Sequence, residues 1–202
     1  MLPPFTQALI IANGVVFLLE FLLGGVMFQW FALWPGDGGG LAALPWLAPW
    51  QLVSYSFLHA GLMHLGFNML GVWMFGSDLE RVWGPKRYAI LYFASVLTAA
   101  LTQLLVAGTF GRSQGPVVGA SGGVFGLLLA YAVMFPERRV MLLFPPIPMR
   151  ARTFAVVYGL LELILGVTGL QAGVAHFAHL GGMAGSYLAM QYFRGRPPFG
   201  RR

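Results

Sequence analysis

Val118-Gly119-Ala120-Ser121-Gly122-Gly123-Val124-Phe125 sets one serine among glycines where an irregular segment enters a long apolar run. A helix starting at Ser121 aims its unpaired N-terminal N–H groups, and the positive end of its dipole, at any charge that develops beside the serine oxygen. The glycines permit a tight turn and close approach of a second backbone, including that of a substrate. Gly119-x-Ser121-x-Gly123 also fits the nucleophile elbow of soluble hydrolases, a motif that needs a preceding strand in an α/β domain. Small-residue helix packing is the plainer alternative.

Composition settles the environment. The chain of 202 residues is 58% hydrophobic and 9% charged, with a mean hydropathy of +0.75, outside the range of soluble domains. This hydropathy excludes an α/β hydrolase scaffold, and residues 1–202 read as a single membrane domain. With no cysteine there is neither a disulfide nor thiolate chemistry. Met1-Leu2-Pro3-Pro4 has no basic residue before its apolar run, so no cleavable signal or transit peptide is expected.

Six stretches approach the roughly 17–25 apolar residues of a membrane span: about 5–28, 61–76, 88–107, 121–135, 154–170 and 174–193. Residues 29–60, rich in Trp, Pro and Gly and including Trp30, Trp34, Trp46 and Trp50, suit the membrane interface better than water. Arg81, Lys86 and Arg87 follow the second stretch. Arg138, Arg139, Arg150 and Arg152 lie between the fourth and fifth, and Arg194, Arg196, Arg201 and Arg202 follow the sixth. Eleven of the twelve basic residues thus fall on one side, leaving Arg112 on the other. Excess basic charge marks the cytoplasmic side, which places both termini there. The net charge of +6 is a topology signal rather than a nucleic-acid footprint. Phe144-Pro145-Pro146-Ile147-Pro148 reads as a stiff cytoplasmic connector.

Depth brings two residues together. The fourth stretch is short, about 15 residues or roughly 22 Å against a hydrocarbon core of about 30 Å. Ser121 therefore lies some 8 Å below the outer surface if the inner end reaches the boundary. The preceding irregular residues, 108–120, must dip into the membrane, which is tolerable only when shielded by protein or lining a water-filled cavity. The four histidines, His59, His64, His176 and His179, all fall at the outer ends of the second and sixth stretches. His179, about 8 Å down the sixth, matches the depth of Ser121. A histidine bonded between helices is the plain alternative for any one of them; for His179 the depth match favours catalysis. His64 and Asn68, four apart, share a helix face and can offer two donors to an oxyanion. Phe125, four after Ser121, can stack on His179.

A metal site is the rival use of the histidines, but there is no His-Glu-x-x-His and no acidic neighbour in sequence, and none is expected. An acid for a catalytic triad is not found either. Asp78, Glu80 and Glu137 are on the basic side, Glu20 and Glu162 fall near mid-membrane, and Asp37 is in the interfacial loop. A Ser–His dyad is what remains, with Glu162 facing the bundle in no assigned role.

As a set, His59-x4-His64-x3-Asn68, Gly119-Ala120-Ser121-Gly122 and Ala178-His179-Leu180-Gly181-Gly182 resemble the rhomboid family of intramembrane serine proteases, in a bare six-helix prokaryotic form. The resemblance implies an all-α membrane protein: a six-helix bundle with an interfacial first loop and a short central fourth helix. It implies Ser121 as nucleophile and His179 as base, with His64, Asn68 and the Ser121 backbone N–H as oxyanion hole and no cofactor. His179 rather than His176 is the base by this resemblance, because it precedes Gly181-Gly182. Gly122 and Gly126 face Gly182 and Ser186, small residues that let the fourth and sixth helices approach. Glu80 takes a structural position. Departures are Trp50-Gln51, where many members carry Trp-Arg, and Phe125, where some have tyrosine. The implied partners are the lipid bilayer and transmembrane protein substrates, which unwind locally at a small residue and enter laterally past the last part of residues 29–60, residues 108–120 and the fifth helix. The implied location is a bacterial inner membrane with the site open to the outer side. Nothing in the sequence sets an oligomeric state. A non-proteolytic binder of transmembrane helices or a small transporter is the alternative.

Overall fold

The computed structural model describes residues 1–35, 48–110, 115–141, 146–171 and 173–195. Asp37, Trp46, Arg112, Phe144, Pro145, Arg196, Arg201 and Arg202 lie outside them. The chain is a mostly helical membrane protein. Helix α1 (Pro4–Leu23) opens with proline in its first turn and ends at Gly24, with α2 (Gly25–Phe31) following at once. The expected helix over 5–28 is therefore two, because the positive φ of Gly24 (+58°) breaks the run.

After α3 (Gln51–Ser54) and a 3₁₀ turn (Tyr55–Phe57), helix α4 (Leu62–Gly71) passes through one π-helical stretch (Val72–Gly76) into α5 (Ser77–Phe110). Gly84, at φ +75°, interrupts α5, and Pro85 starts its second part, where a missing N–H costs nothing. The irregular segment expected from residue 108 begins later, since α5 continues to Phe110. Helix α6 (Ser121–Met134) leads to an antiparallel hairpin, β1 (Arg139–Met141) and β2 (Pro148–Arg150), with Val140 opposite Met149. The expected proline-rich connector is thus flanked by paired strands: Pro148 begins a strand, where its missing donor is tolerated. Helices α7 (Ala151–Thr168) and α8 (His176–Phe193) complete the chain, α7 closed by Gly169 in the left-handed region.

Helix α6 packs among α5, α7, α8 and the α4–π element. Apolar side chains point outward elsewhere, including Leu18, Phe21 and Leu22 on α1 and Leu160, Ile164 and Val167 on α7, as lipid requires. Among the described residues, three helical runs are long and apolar enough to cross a membrane: Pro4–Leu23, the continuous Leu62–Phe110, and Ala151–Thr168; Ser121–Met134 is shorter.

Charges gather at one end. Asp78 pairs with Arg81 and with Arg138, while Glu137 pairs with Arg150 and Arg152. Arg81 also donates to the Met1 carbonyl (3.2 Å), and Arg87 lies over Phe193, so the start of the chain and the end of α8 meet here. Glu80 caps α1 from outside. Its carboxylate accepts the N–H groups of Phe5 (2.9 Å) and Thr6 (2.7 Å) and the Thr6 hydroxyl (2.7 Å). Two otherwise unpaired donors and the helix dipole are satisfied together, as the structural reading of Glu80 expects.

The interfacial segment closes onto α2 by the same logic. Trp34 Nε1–H donates to the Phe28 carbonyl, Trp50 Nε1–H and Gln51 Nε2–H to that of Trp30, and the Ser54 hydroxyl to that of Phe31. Four side chains cap the last turn of α2, and Gln51 is one of them.

Candidate active site

The backbone leading to Ser121 is held from three sides. Val117 exchanges both backbone hydrogen bonds with Leu33 (3.1 and 2.8 Å), and the Gly119 N–H donates to the Tyr55 carbonyl (2.9 Å). The Ala120 N–H points at His59 Nε2 (3.5 Å). His59 Nδ1 faces the Phe57 carbonyl (3.2 Å), which can only accept, so the proton is on Nδ1 and Nε2 is free to receive. The His59 backbone N–H donates in turn to Glu20 Oε1 (2.9 Å) on α1. Irregular backbone inside a membrane protein needs such partners, and here they fix the entrance to α6. No side chain caps α6, which leaves the N–H groups of its first turn without helical partners beside Ser121.

Glycine sets the distance between serine and histidine. A Cβ at Gly182 would lie 2.0 Å from the Gly122 carbonyl oxygen, and one at Gly126 would lie 3.0 Å from that of Gly182. Helices α6 and α8 therefore touch backbone to backbone, with Ser186 fully buried one turn on. On its other face α8 meets α5 in the same way: a Cβ at Gly181 would meet Thr102, and one at Gly185 would meet Thr98 and the Ala94 carbonyl. The sequence reading anticipates the first seam and misses the second.

This approach puts His179 Nε2 2.7 Å from Ser121 Oγ. The Phe125 ring stacks on the imidazole at 4.3 Å between centroids and 7° between planes, fixing the ring's plane. A serine hydroxyl bonded to a buried, oriented imidazole can give up its proton as it attacks.

His64 and Asn68 face the same space. His64 Nδ1 accepts the Ala60 N–H (3.4 Å), so its Nε2 carries the proton. That edge of the ring rests on Gly119, where a Cβ would come within 2.7 Å of Nε2; Gly119, at φ +121°, is doubly required. Asn68 donates one N–H to the His64 carbonyl (2.9 Å), leaving its second for another acceptor. Ser121, His179, His64, Asn68, Gly119, Gly122 and Phe125 all line one cavity of about 560 Å³. From Ser121 and His179 it runs between α4 and α7, past Met74 and Tyr158, to Val140 of the hairpin.

One contact overturns an expectation. The sequence reading finds no acidic residue beside His179, yet Glu162 Oε2 lies 2.8 Å from His179 Nδ1 and 2.6 Å from His176 Nδ1. Glu162, His176 and His179 are all buried. Two signals were available. Ala155, Gly159, Glu162 and Gly166 recur at helical spacing and form one face of α7; a Cβ at Gly166 would meet His176 and Phe177, so that face is turned to α8. Counted from the connecting turn, Glu162 is about 4–5 Å deeper than His179, a gap a glutamate side chain spans.

The chain matches the Rhomboid domain over residues 47–196. It is 30% identical to a Bacillus subtilis protein named Rhomboid protease GluP over 141 residues, 69% of this chain and 25% of that protein. It is 29% identical to Klebsiella pneumoniae Rhomboid protease GlpG over 192 residues, 94% of this chain and 62% of that protein. With the mitochondrial Rhomboid protein 1 of Saccharomyces cerevisiae the identity is 33% over 99 residues, 48% of this chain and 29% of that protein. The chain thus spans from a quarter to less than two thirds of the length of these relatives.

Proposed function

This chain belongs to the rhomboid family, and on that premise we propose that it is an intramembrane serine endopeptidase, cleaving a peptide bond in or near the transmembrane segment of membrane-protein substrates. The observation that carries the reading is the 2.7 Å contact of His179 Nε2 with Ser121 Oγ inside a cavity that also holds His64 and Asn68. In this mechanism Ser121 Oγ attacks the scissile carbonyl while its proton passes to His179 Nε2. The oxyanion is received by the Ser121 N–H, His64 Nε2–H and the free N–H of Asn68. The imidazolium then protonates the leaving amine, and water, activated by the same nitrogen, releases the acyl group. No cofactor is required. A substrate helix conceals its carbonyls in its own ladder, so it must unwind at the cut, which favours weak helix formers and a small side chain there. Access is lateral: the cavity lies between α4 and α7, as a substrate arriving from lipid requires.

The chain crosses the bilayer six times in this reading, the Leu62–Phe110 run counting as two spans that meet at Gly84-Pro85. The meeting of chain start, kink, hairpin and end of α8 at one charged end supports an even number of spans. That end faces the cytoplasm of a bacterium by its basic charge, and the dyad opens to the outer side.

A fluorophosphonate probe tests the mechanism. Detergent-solubilised protein is expected to label at Ser121, mapped by peptide mass, and to cleave a single-span substrate. Ser121→Ala and His179→Ala should each abolish cleavage. Labelling at another serine, or labelling unchanged in His179→Ala, would overturn the dyad.

A further inference from the structure

The described structure contains a chain of three side chains across three helices, from half-buried Ser121 to buried Glu162: Ser121 Oγ meets His179 Nε2 (2.7 Å), and across the imidazole His179 Nδ1 meets Glu162 Oε2 (2.8 Å). For Nε2 to accept the serine proton, the ring's own proton must be on Nδ1. Glu162 Oε2 is the oxygen that faces that nitrogen. The aligned hydrogen bond of Glu162, at 2.6 Å, goes to His176 Nδ1. The contact with His179 has the distance but not the alignment of one, and His179 Nδ1 has no hydrogen-bond partner among the described residues. Catalytic hydrogen bonds are commonly misaligned before substrate binds and tighten in the transition state. A short turn of the carboxylate within the cluster brings it into line.

We propose that Glu162 is a positioning residue for His179. It receives the Nδ1–H, thereby holding the tautomer whose Nε2 is free for Ser121, and it offsets the imidazolium that forms when the serine proton arrives. The inference rests on the protease reading above and adds an acid to it. The proton from Ser121 stays on Nε2 until the leaving amine takes it; Glu162 takes no proton from His179. His176 shares the same carboxylate: its Nδ1 is 2.6 Å from Oε2, and its Nε2 faces the Gln171 carbonyl at 3.3 Å. His176 does not line the cavity that holds the dyad.

Two other uses of the cluster make different predictions. As a latch between α7 and α8, Glu162 would matter only through His176, its aligned partner. As a metal site, the three residues offer ligand atoms within 4.8 Å of one another. However, Oε2 is 2.6 and 2.8 Å from the two nitrogens, which are proton-sharing distances. Ligands at about 2.0–2.1 Å from a tetrahedral zinc sit some 3.3 Å apart.

The test compares Glu162→Gln, Glu162→Asp and His176→Ala in the full chain, purified in detergent. It reads cleavage of a fluorogenic single-span peptide, fluorophosphonate labelling rate, thermal midpoint, and the proton spectrum of ¹⁵N-histidine protein. Glutamine keeps the shape but can donate to Nδ1, favouring the wrong tautomer; the equivalent change in a soluble triad costs about 10⁴-fold in kcat. With the resting bond misaligned, the expected fall in kcat here is smaller, on the order of 10²-fold, with KM within about twofold. Glu162→Asp should recover part of it. His176→Ala should lower kcat no more than about threefold, because the carboxylate then has His179 alone to face. A downfield Nδ1–H resonance of His179 should be present in wild type and in Ser121→Ala, and absent in Glu162→Gln. Wild-type kcat in Glu162→Gln would overturn the proposal. So would Glu162→Gln and His176→Ala falling together in kcat and thermal midpoint, the latch result, or loss of wild-type activity on chelation with rescue by zinc. If Glu162→Gln does not fold, His176→Ala and Glu162→Asp still decide between a latch and a positioning acid. A wild-type protein that neither cleaves nor labels would instead bring down the protease reading, while the resonance in Ser121→Ala would still report the Glu162–His179 contact.

Discussion

Replacing Gly182 by alanine puts a methyl group where Gly122 already has its carbonyl. The new Cβ would lie 2.0 Å from the Gly122 oxygen and 2.8 Å from its carbon. Both partners are helix backbone, so neither can rotate aside as a side chain would. Comfortable contact begins near 3.5 Å, so α6 and α8 must part by about 1.5 Å. His179 is one turn before Gly182, and the separation is passed almost whole to the Nε2–Oγ contact. At 2.7 Å that bond survives a displacement of a few tenths of an ångström, but not one this size. Misplacement by about 1 Å costs on the order of 10²-fold in rate, and overpacking typically costs about 1–3 kcal/mol. Gly182→Ala should therefore lose about two orders of magnitude in both cleavage and fluorophosphonate labelling of Ser121, with a lower thermal midpoint. Gly159→Ala on α7 is the control. Its Cβ would meet only the flexible end of Met183, at 3.6 Å, and activity should stay near wild type. If Gly182→Ala labels at the wild-type rate, the backbone seam does not set the dyad distance and the reasoning fails.

The remaining expectations concern single contacts. Asn68→Ala removes one oxyanion donor and should lower kcat by about 10²–10³-fold with little change in thermal midpoint; equal loss in KM would argue for substrate binding instead. Phe125→Ala removes the stacked ring and should slow labelling by at least about two- to twelvefold, the rate equivalent of the 0.5–1.5 kcal/mol typical of aromatic pairs. Phe125→Tyr should be nearly neutral in the same assay. Glu80→Ala leaves the Phe5 and Thr6 N–H groups and the Thr6 hydroxyl without their acceptor, which should cost about 1–3 kcal/mol in chemical denaturation. Activity at low temperature should be retained; loss of cleavage without loss of stability would contradict the capping role.

What the sequence discloses and what it withholds divide along one physical line. Depth in a membrane helix is a count of residues, so Ser121 and His179 can be paired from sequence. Local faces are also countable: Phe125 sits one turn from Ser121 and does stack on His179. The orientation of a helix about its own axis is set by packing, and it was legible only where small residues marked the face, as at Gly122, Gly126, Gly182 and Ser186. On α8 two glycine faces run side by side: Gly182 turns to α6, while Gly181 and Gly185 meet α5. On α7 the small residues Ala155, Gly159 and Gly166 share their face with Glu162. The hairpin could not be read from period-2 alternation, because its strands are three residues each, and its prolines argue for a connector. The π-helical stretch is similarly silent in sequence. Val72-Trp73-Met74-Phe75-Gly76 continues the apolar run of α4, and the close approach of Gly76 to the Tyr88 ring becomes visible only in three dimensions.

Glu20, Glu80 and Glu162 are the buried carboxylates among the described residues, and each ties its own helix to another element. A carboxylate away from water is costly unless it receives hydrogen bonds or a positive charge, so each marks a place where the fold supplies partners. Glu80 receives the start of α1 at the charged end of the bundle. Glu20 receives the His59 N–H, and His59 in turn faces the Ala120 N–H, one residue before Ser121. Glu162 receives His176 and lies against His179. The serine is thus referred to α1 through one carboxylate, and the histidine to α7 through another, while the glycine seam of α6 and α8 sets the distance between them. Movement of α7 large enough to widen the cavity would separate Glu162 from His179 unless its outer end stayed in place. That end is tied to α8 by the short turn after Thr168 and by the Glu162–His176 bond, whereas Phe154 and Tyr158, lower on α7, line the cavity. A lateral opening that preserves the histidine must therefore be greatest toward the hairpin end of α7, so that the helix pivots near Glu162 while its lower half swings.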